Sequence, residues 1–141
     1  MPDNEHEAEN DPSIEDAALL LRKVHPTQMA VEQGVLRVTS NAFRDITDAQ
    51  TGKTAVSAFV EAKLEELGAS AADLIAGLEG FGVVAVPVSA VRALGLGVTW
   101  EPNDLSFGAA HVHINGEKGR STRRRLAESC QDRVWPSGSR K

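Results

Sequence analysis

The sequence predicts a single α+β domain, in which a small mixed or antiparallel sheet packs with three or four helices. Short runs rich in β-branched residues indicate strands, and the strongest covers residues 83–88. Helix-start patterns, in which a serine stands three positions before an acidic residue, occur at residues 13–16 and 70–73. The chain of 141 residues is long enough for one domain with a buried core.

Strand predictions rest on short apolar segments bounded by glycine, proline or polar turns. Residues 83–88 form an almost unbroken apolar run, which indicates burial on both faces, with Pro87 at the strand end or on an edge. The pair Asn115–Gly116 predicts a hairpin turn after the last strand. Strands are expected over residues 35–39, 54–58, 83–88, 98–100 and 107–114.

Helix predictions rest on apolar residues spaced three and four apart, on serine caps and on glycine stops. The apolar run after Ser13 indicates a short helix or strand that stops before Pro26, because a residue preceding proline avoids helical geometry. Helices are expected over residues 59–67, 70–78, 90–94 and 123–130.

Charge and periodicity divide the chain into a domain and two tails. Residues 1–16 contain seven acids and neither Lys nor Arg, whereas residues 118–141 contain eight basic residues and two acids. Because apolar periodicity begins only near residue 13, residues 1–12 are predicted to be a disordered acidic tail. The domain is expected over residues 13–135, followed by a loose C-terminal tail at residues 136–141.

Composition also limits the compartment and the class of site. The single cysteine, Cys130, allows no internal disulfide and no multi-cysteine zinc site. The acidic start lacks the pattern of a secretion signal, and no apolar run approaches the roughly 20 residues that span a bilayer. These observations predict a cytoplasmic protein without a membrane partner.

A His-x-His pair is the first candidate site. On a strand, residues two apart project from the same face, so His111 and His113 are expected to lie side by side. The pair could contact a phosphate, bind a metal together with His25, Asp104 or Glu117, or occupy two polar positions on an edge strand. The sequence does not bring these residues together, and we assign no metal ligand.

A basic segment follows the histidines. Arginine forks suit the geometry of phosphates, whereas cations at a helix N-terminus oppose the helix dipole unless an anion binds. The alternative is a solvated face that attracts the acidic tail. Aromatic residues do not interleave with the cations, so stacking on single-stranded bases has no support. The segment consists of Lys118, Arg120, Arg123, Arg124 and Arg125.

A third pattern combines Arg22 or His25 with the later Thr39–Ser40 and Glu101. This order resembles the layout of ADP-ribosyltransferases, in which an Arg or His and a Ser-Thr-Ser strand hold NAD and a later glutamate acts on the ribose. The Ser-Thr-Ser motif is incomplete here. The resemblance implies that these residues are candidate site residues.

Four segments are similar to those of small, largely uncharacterised bacterial proteins. The resemblance covers about residues 19–135 and implies one compact domain without a settled activity. It gives His111 more weight than His113. The segments are residues 20–26, 39–43, 82–86 and 110–116.

These patterns favour a small binding or accessory protein that contacts an anion through the His-x-His strand and the adjacent basic segment. The expected partner is an anionic small molecule or an acidic protein surface, with nucleic acid as a further possibility, and the cofactor is unknown. The predicted ligand contacts are Arg22, Lys118, Arg120, Arg123 and Arg124.

The alternative function is enzymatic. It would act on a phosphate-containing or NAD-type substrate, with a histidine as the acid or base. The candidate catalytic residues are His111, His113 and His25.

Overall fold

A computed structural model describes residues 8–33, 35–47 and 52–135. The strands in these residues are β1 (Leu19–Val24), β2 (Met29–Glu32), β3 (Val35–Val38), β4 (Ile46–Thr47), β5 (Thr54–Val60), β6 (Gly82–Pro87), β7 (Gly97–Trp100), β8 (His111–Asn115) and β9 (Gln131–Val134). The α-helices are α1 (Glu61–Glu66), α2 (Val88–Ala93) and α3 (Arg120–Glu128). Short 3-10 turns cover Pro26–Gln28, Ser40–Phe43, Ala71–Ile75 and Gly108–Ala110.

Seven of the strands form one antiparallel sheet. Its order is β7-β8-β5-β1-β6-β9, and β4 pairs with the start of β5. Strand β1 lies in the middle, where Leu20 pairs with Val60 of β5 and with Val86 of β6. Strands β2 and β3 form a separate hairpin.

Two clusters of buried side chains lie on opposite faces of the sheet, because successive residues of a strand point to opposite sides. On one side, which we call the Leu20 face, Leu20 belongs to a cluster that includes Leu126 of α3. On the other side, the Leu21 face, Leu21 belongs to a cluster with Leu64 of α1 and Leu74. The sheet therefore has a covered core on each face.

The segment before β1 runs along the outer edge of β7. The Asp11 N–H donates to the Val98 carbonyl at 2.7 Å, and the Val98 N–H donates to Asn10 Oδ1 at 3.1 Å. Arg92 of α2 binds the same segment, with Nη1 2.6 Å from Asp16 Oδ1 and Nη2 2.9 Å from the Asp11 carbonyl. These hydrogen bonds satisfy backbone groups of an edge strand.

The predicted fold class is wrong. The prediction was a small sheet with three or four helices, but the described residues form a seven-stranded antiparallel sheet with three short α-helices. The segment after Ser13, for which the sequence allows a helix or a strand, contains strand β1, whereas the helix expected from Ser70 is a 3-10 turn. The helix predicted at residues 59–67 is reduced to the six residues of α1, because β5 extends to Val60. Pairing between strands outweighs these local helix signals.

Other expectations have mixed outcomes. The strand predicted at residues 83–88 is confirmed as β6, which is buried at five of its six positions and ends at Pro87. The hairpin at Asn115–Gly116 is wrong, since the chain continues from β8 into α3. Residues 8–12 of the predicted acidic tail are described, whereas residues 1–7 and the predicted tail at 136–141 lie outside the described residues. Among the described helices, none has the length and apolar character needed to traverse a membrane.

Candidate functional site

His111 and His113 project from the same face of β8. They pair with Phe59 and Ser57 of β5, and they lie on the Leu21 face. Their ring centroids are 5.3 Å apart and their planes nearly perpendicular. The expected side-by-side placement is therefore observed, because it follows from the two-residue period of a strand.

Both imidazoles are enclosed by protein. His111 is 4% exposed and His113 is fully buried. His111 Nδ1 lies 2.7 Å from the Glu101 carbonyl oxygen, which can only accept a hydrogen bond, so Nδ1 carries the proton. His113 Nδ1 lies 3.9 Å from Glu101 Oε2. Both rings are thus oriented by one residue at the end of β7.

Glu101 is the centre of a buried polar cluster. Its Oε2 accepts hydrogen bonds from Lys53 Nζ and from the Thr99 hydroxyl, each at 3.0 Å. Asn115 Nδ2 donates in turn to the Thr99 hydroxyl at 2.9 Å. Glu101 is 8% exposed, so its carboxylate has little access to water and depends on these protein donors.

The charge of Glu101 is stabilised in place. Burial alone would raise the pKa of this carboxyl, but the hydrogen bonds from Lys53 and Thr99, with the nearby His113 and the Lys53 charge, outweigh it and lower the pKa. The same hydrogen bond raises the pKa of Lys53. The cluster therefore holds an ionised acid beside two imidazoles.

A pocket of about 530 Å³ opens on the Leu21 face beside these rings. This volume lies within the range of small-molecule sites, roughly 300–1,000 Å³. The ring of His111 meets that of Phe59, a pocket residue, with centroids 5.4 Å apart. The pocket is lined by Lys23, Phe59, Asp73, Leu74, Ala76, Asn103, Leu105, Ser106 and Phe107.

The loop that carries Phe107 is tightly closed. The Leu105 N–H donates to Asn103 Oδ1 at 3.0 Å, and the Gly108 N–H donates to the Leu105 carbonyl at 2.9 Å. A Cβ atom on Gly108 would lie 2.1 Å from the Asn103 carbonyl oxygen, so this position requires glycine. Phe107 itself has a φ of 63°, which is uncommon for an aromatic residue. Such a conformation persists where the surrounding structure fixes it.

Lys23 is the cation of the pocket. It is half-buried on β1, and its Nζ lies 5.8 Å from the centroid of the Phe59 ring. Burial, and then the positive charge of Arg22, lower the pKa of Lys23. Among the described residues, no carboxylate comes within ion-pair distance of its amine. An anion at this place would therefore gain a charged partner without displacing one.

Arg22 and His25 do not join the imidazole pair. Arg22 points to the Leu20 face, where Nε donates to the Ala42 carbonyl and Nη1 to the Ser57 carbonyl, both at 2.9 Å. Burial lowers the pKa of Arg22 to about 10, so it stays charged at neutral pH. His25 caps the first 3-10 turn, where its Nδ1 accepts a hydrogen bond from the Thr27 N–H at 3.1 Å.

The basic segment also lies away from the histidines. Helix α3 packs on the Leu20 face through Leu126, which belongs to the same cluster as Val112 and Ile114 of β8. Lys118 Nζ lies 2.6 Å from Asp45 Oδ1 and is already paired. Arg120, Arg124 and Arg125 are exposed, and Arg123 is half-buried. The sheet thus separates the arginines from the two imidazoles.

Sequence reasoning did not single out the residues of the pocket. Lys23 breaks an apolar strand, and Phe107–Gly108 places an aromatic residue before a glycine in a loop. These two local signals could have drawn attention to the site, but only the fold shows that the residues meet. Among the described residues, no group of three or more His, Cys, Asp or Glu side chains is arranged to hold a metal ion.

Comparisons with known proteins place this chain in no group. No protein-family model matches it. Neither the curated proteins nor the solved structures include a significant match to it.

Proposed function

We propose that the protein is a binding or accessory protein, and that its ligand is a small molecule with an anionic group and an apolar or aromatic body. The single observation that carries this proposal is the half-buried Lys23 on the wall of the pocket. An anionic ligand is also what the sequence analysis expects. The residues that support it here, however, lie on β1, β5 and the loop before β8, not on the His-x-His strand or the basic segment.

Electrostatics supports the anionic part of the ligand. A half-buried ammonium has lost part of its hydration, which the lowered pKa of Lys23 reflects. A bound carboxylate, sulfonate or phosphate would supply the missing counter-charge in a partly desolvated place, where such a contact is stronger than on an open surface. Asp73 also lines the pocket, but its Oδ2 accepts a hydrogen bond from the Ser70 N–H at 2.7 Å.

Shape supports the apolar part of the ligand. Phe59 lies on the sheet and Phe107 on the closed loop, and both line the pocket together with Leu74 and Leu105. Aromatic walls favour planar or hydrophobic groups, and fixed polar groups such as the Asn103 amide orient them. Leu105 is 59% exposed, so apolar surface is available for a ligand to cover.

The enzymatic alternative has weaker support. An acid–base histidine must come within hydrogen-bond reach of the substrate. His113 is fully buried and His111 is 4% exposed, and neither lines the pocket. Arg22 lies on the Leu20 face, whereas the Glu101 carboxylate faces His113 on the Leu21 face, and this separation removes support for an NAD-type site of the ADP-ribosyltransferase layout.

The test is a titration with 8-anilinonaphthalene-1-sulfonate, an aromatic anion whose fluorescence rises on binding. We expect saturable binding to one site, and Lys23→Gln should weaken it by about tenfold, since one charge-assisted contact is lost. Lys23→Arg keeps the charge and should restore part of the affinity. The matched control is Lys63→Gln, which removes an equal charge from α1, where Lys63 pairs with Glu66.

Circular dichroism should show that the three variants remain folded. A dye affinity that is equal in Lys23→Gln and Lys63→Gln would contradict the proposal. Displacement of the dye by aromatic carboxylates and by inorganic phosphate then distinguishes ligands with a ring from the bare anion. If only inorganic phosphate bound, the aromatic part of the proposal would be wrong.

A further inference from the structure

The exposed side of α3 carries a group of arginines that form no ion pair with any residue that the structure describes. Arg120, Arg124 and Arg125 are exposed, and Arg123 is half-buried with its Nε atom enclosed and not hydrogen-bonded to any described residue. Among the described residues, none of the four pairs with a carboxylate. We call these four residues the α3 arginine surface.

Most other described basic side chains form ion pairs with carboxylates. A carboxylate oxygen lies within about 3.4 Å of each of five basic side chains, at distances from 2.6 to 3.4 Å. These pairs are Lys53–Glu101, Lys63–Glu66, Arg92–Asp16, Lys118–Asp45 and Arg133–Glu61. Acids are thus plentiful in a chain of net charge −5, yet among the described residues no carboxylate, Glu128 of the same helix included, lies within ion-pair distance of the α3 arginines.

The position of the arginines within the helix is also unfavourable without an anion. Arg120 and Arg123 lie in the first turn, which has no acidic residue, and Gly119 at the N-cap offers no side-chain oxygen. Cations at this end oppose the helix dipole. The helix is held in place from below by Leu126, so an incoming anion would meet a backbone that is already ordered.

We infer that the α3 arginine surface is a docking site for an acidic protein segment. Arginine forks bind carboxylates in a bidentate geometry. Arg120 and Arg124 are four positions apart and therefore neighbours on one side of the helix, a spacing that matches acidic side chains on a partner helix. Arg44 is exposed directly after the 3-10 turn that packs against α3, and it extends the basic area.

Two other classes of macromolecule fit less well. The exposed side of α3 presents Arg120, Ser121, Arg124, Arg125 and Glu128, with no apolar side chain to enter a membrane interface. The affinity of duplex nucleic acid rises with the number of phosphates that a protein neutralises along the duplex, and four arginines on one short helix neutralise few. A short acidic peptide needs only a few complementary charges.

The experiment is a titration of the full chain with unlabelled poly-L-glutamate, followed by isothermal titration calorimetry at low and at physiological ionic strength. We expect binding that weakens with salt, and Arg120→Gln/Arg124→Gln should reduce affinity by about tenfold. The matched control is Arg37→Gln/Lys63→Gln, which removes the same charge from two other elements. Glutamine is a good helix former, so α3 should persist in the first variant.

Equal losses in the two double variants would show a response to net charge alone and would overturn the inference. Duplex DNA of matched length, or vesicles of phosphatidylserine, serve as competing probes. If either bound more tightly than poly-L-glutamate through the same arginines, the partner class would be wrong. Neither result depends on Lys23, so the outcome is independent of the pocket.

Discussion

At the scale of single residues, Glu101 connects more of the site than any other side chain described above. Its carbonyl orients His111, its carboxylate faces His113, and Lys53 and Thr99 donate to it. Because hydrogen bonds to a buried charge contribute more than those between neutral groups, this cluster stabilises the end of β7 against β8.

Replacing the carboxyl group tests this role. We expect Glu101→Gln to lower the free energy of unfolding by about 1.5–3 kcal/mol at neutral pH, since charged hydrogen bonds are lost. The pKa of Glu101 is lowered in the folded state, so its contribution is fully present above the ordinary glutamate value of about 4.3 and is lost as pH falls through the folded value. Urea denaturation at several pH values measures both effects.

The glutamine side chain of the variant does not titrate, so position 101 should contribute no pH dependence to its free energy of unfolding. The wild-type and Glu101→Gln unfolding free energies should therefore converge at low pH. Glu66→Gln is the control, because that carboxylate pairs with Lys63 on an exposed surface. A difference between wild type and Glu101→Gln that stayed constant into acid would contradict the assignment.

At the scale of elements, the segment before β1 behaves as an additional cover for β7. A Cβ atom on Gly97 would lie 2.1 Å from the Glu9 carbonyl oxygen, so the glycine permits the close approach of this segment. Arg92 holds the same segment through three hydrogen bonds. Residues 9–16 of the acidic start are thus held against the domain.

Gly97→Ala should release this segment. We expect faster hydrogen exchange at the Asp11 N–H, which donates to Val98, while the amides of β1 and β6 keep their protection. Arg92→Gln should produce the same pattern through a different contact. The control is Gly119→Ala, where an added Cβ meets nothing within 4 Å. Unchanged exchange at Asp11 in both Gly97→Ala and Arg92→Gln would contradict this role.

The sequence predicted where individual strands lie better than it predicted which elements pack beside them. The apolar run of β6 and the common side of His111 and His113 follow from local chemistry and the two-residue period of a strand. The same period places Val112 and Ile114 on the other side, where α3 packs. The basic segment follows the histidines closely in the chain, yet it lies across the sheet from them.

The pocket could not be predicted in this way. Lys23, Asp73 and Phe107 come from three distant segments, which the antiparallel order of the sheet and the closure of the loop bring together. The helix patterns located the three α-helices, but they gave α1 a start that is too early and predicted a helix where a 3-10 turn follows Ser70. Helix signals report local preference, whereas β5 extends to Val60 because its residues pair with β1, β4 and β8.

At the scale of the whole molecule, one sheet joins two buried clusters. Leu20 and Leu21 are consecutive residues of β1, both fully buried, but they belong to clusters on opposite faces. Both clusters therefore share strand β1, and loss of packing in either cluster should destabilise the other. This arrangement predicts one cooperative unfolding transition.

Two variants test that cooperativity. Leu20→Ala and Leu21→Ala should each lower the free energy of unfolding by about 2–5 kcal/mol. Trp100 packs against the Leu20 cluster, and the Trp135 ring lies against Gly82 at the start of β6. Single-tryptophan versions, retaining Trp100 or Trp135, should give the same urea midpoint in each background. Two separate midpoints would show that the faces unfold independently.

The hydrogen bonds between residues 10–11 and β7 have a consequence for self-association. Strand β7 is the last strand of the sheet on its side, and without that segment the amide and carbonyl of Val98 would face water. An uncovered strand of this kind is a template for intermolecular pairing. A fragment shortened to begin after Asp16 would therefore be prone to dimerise or aggregate edge to edge.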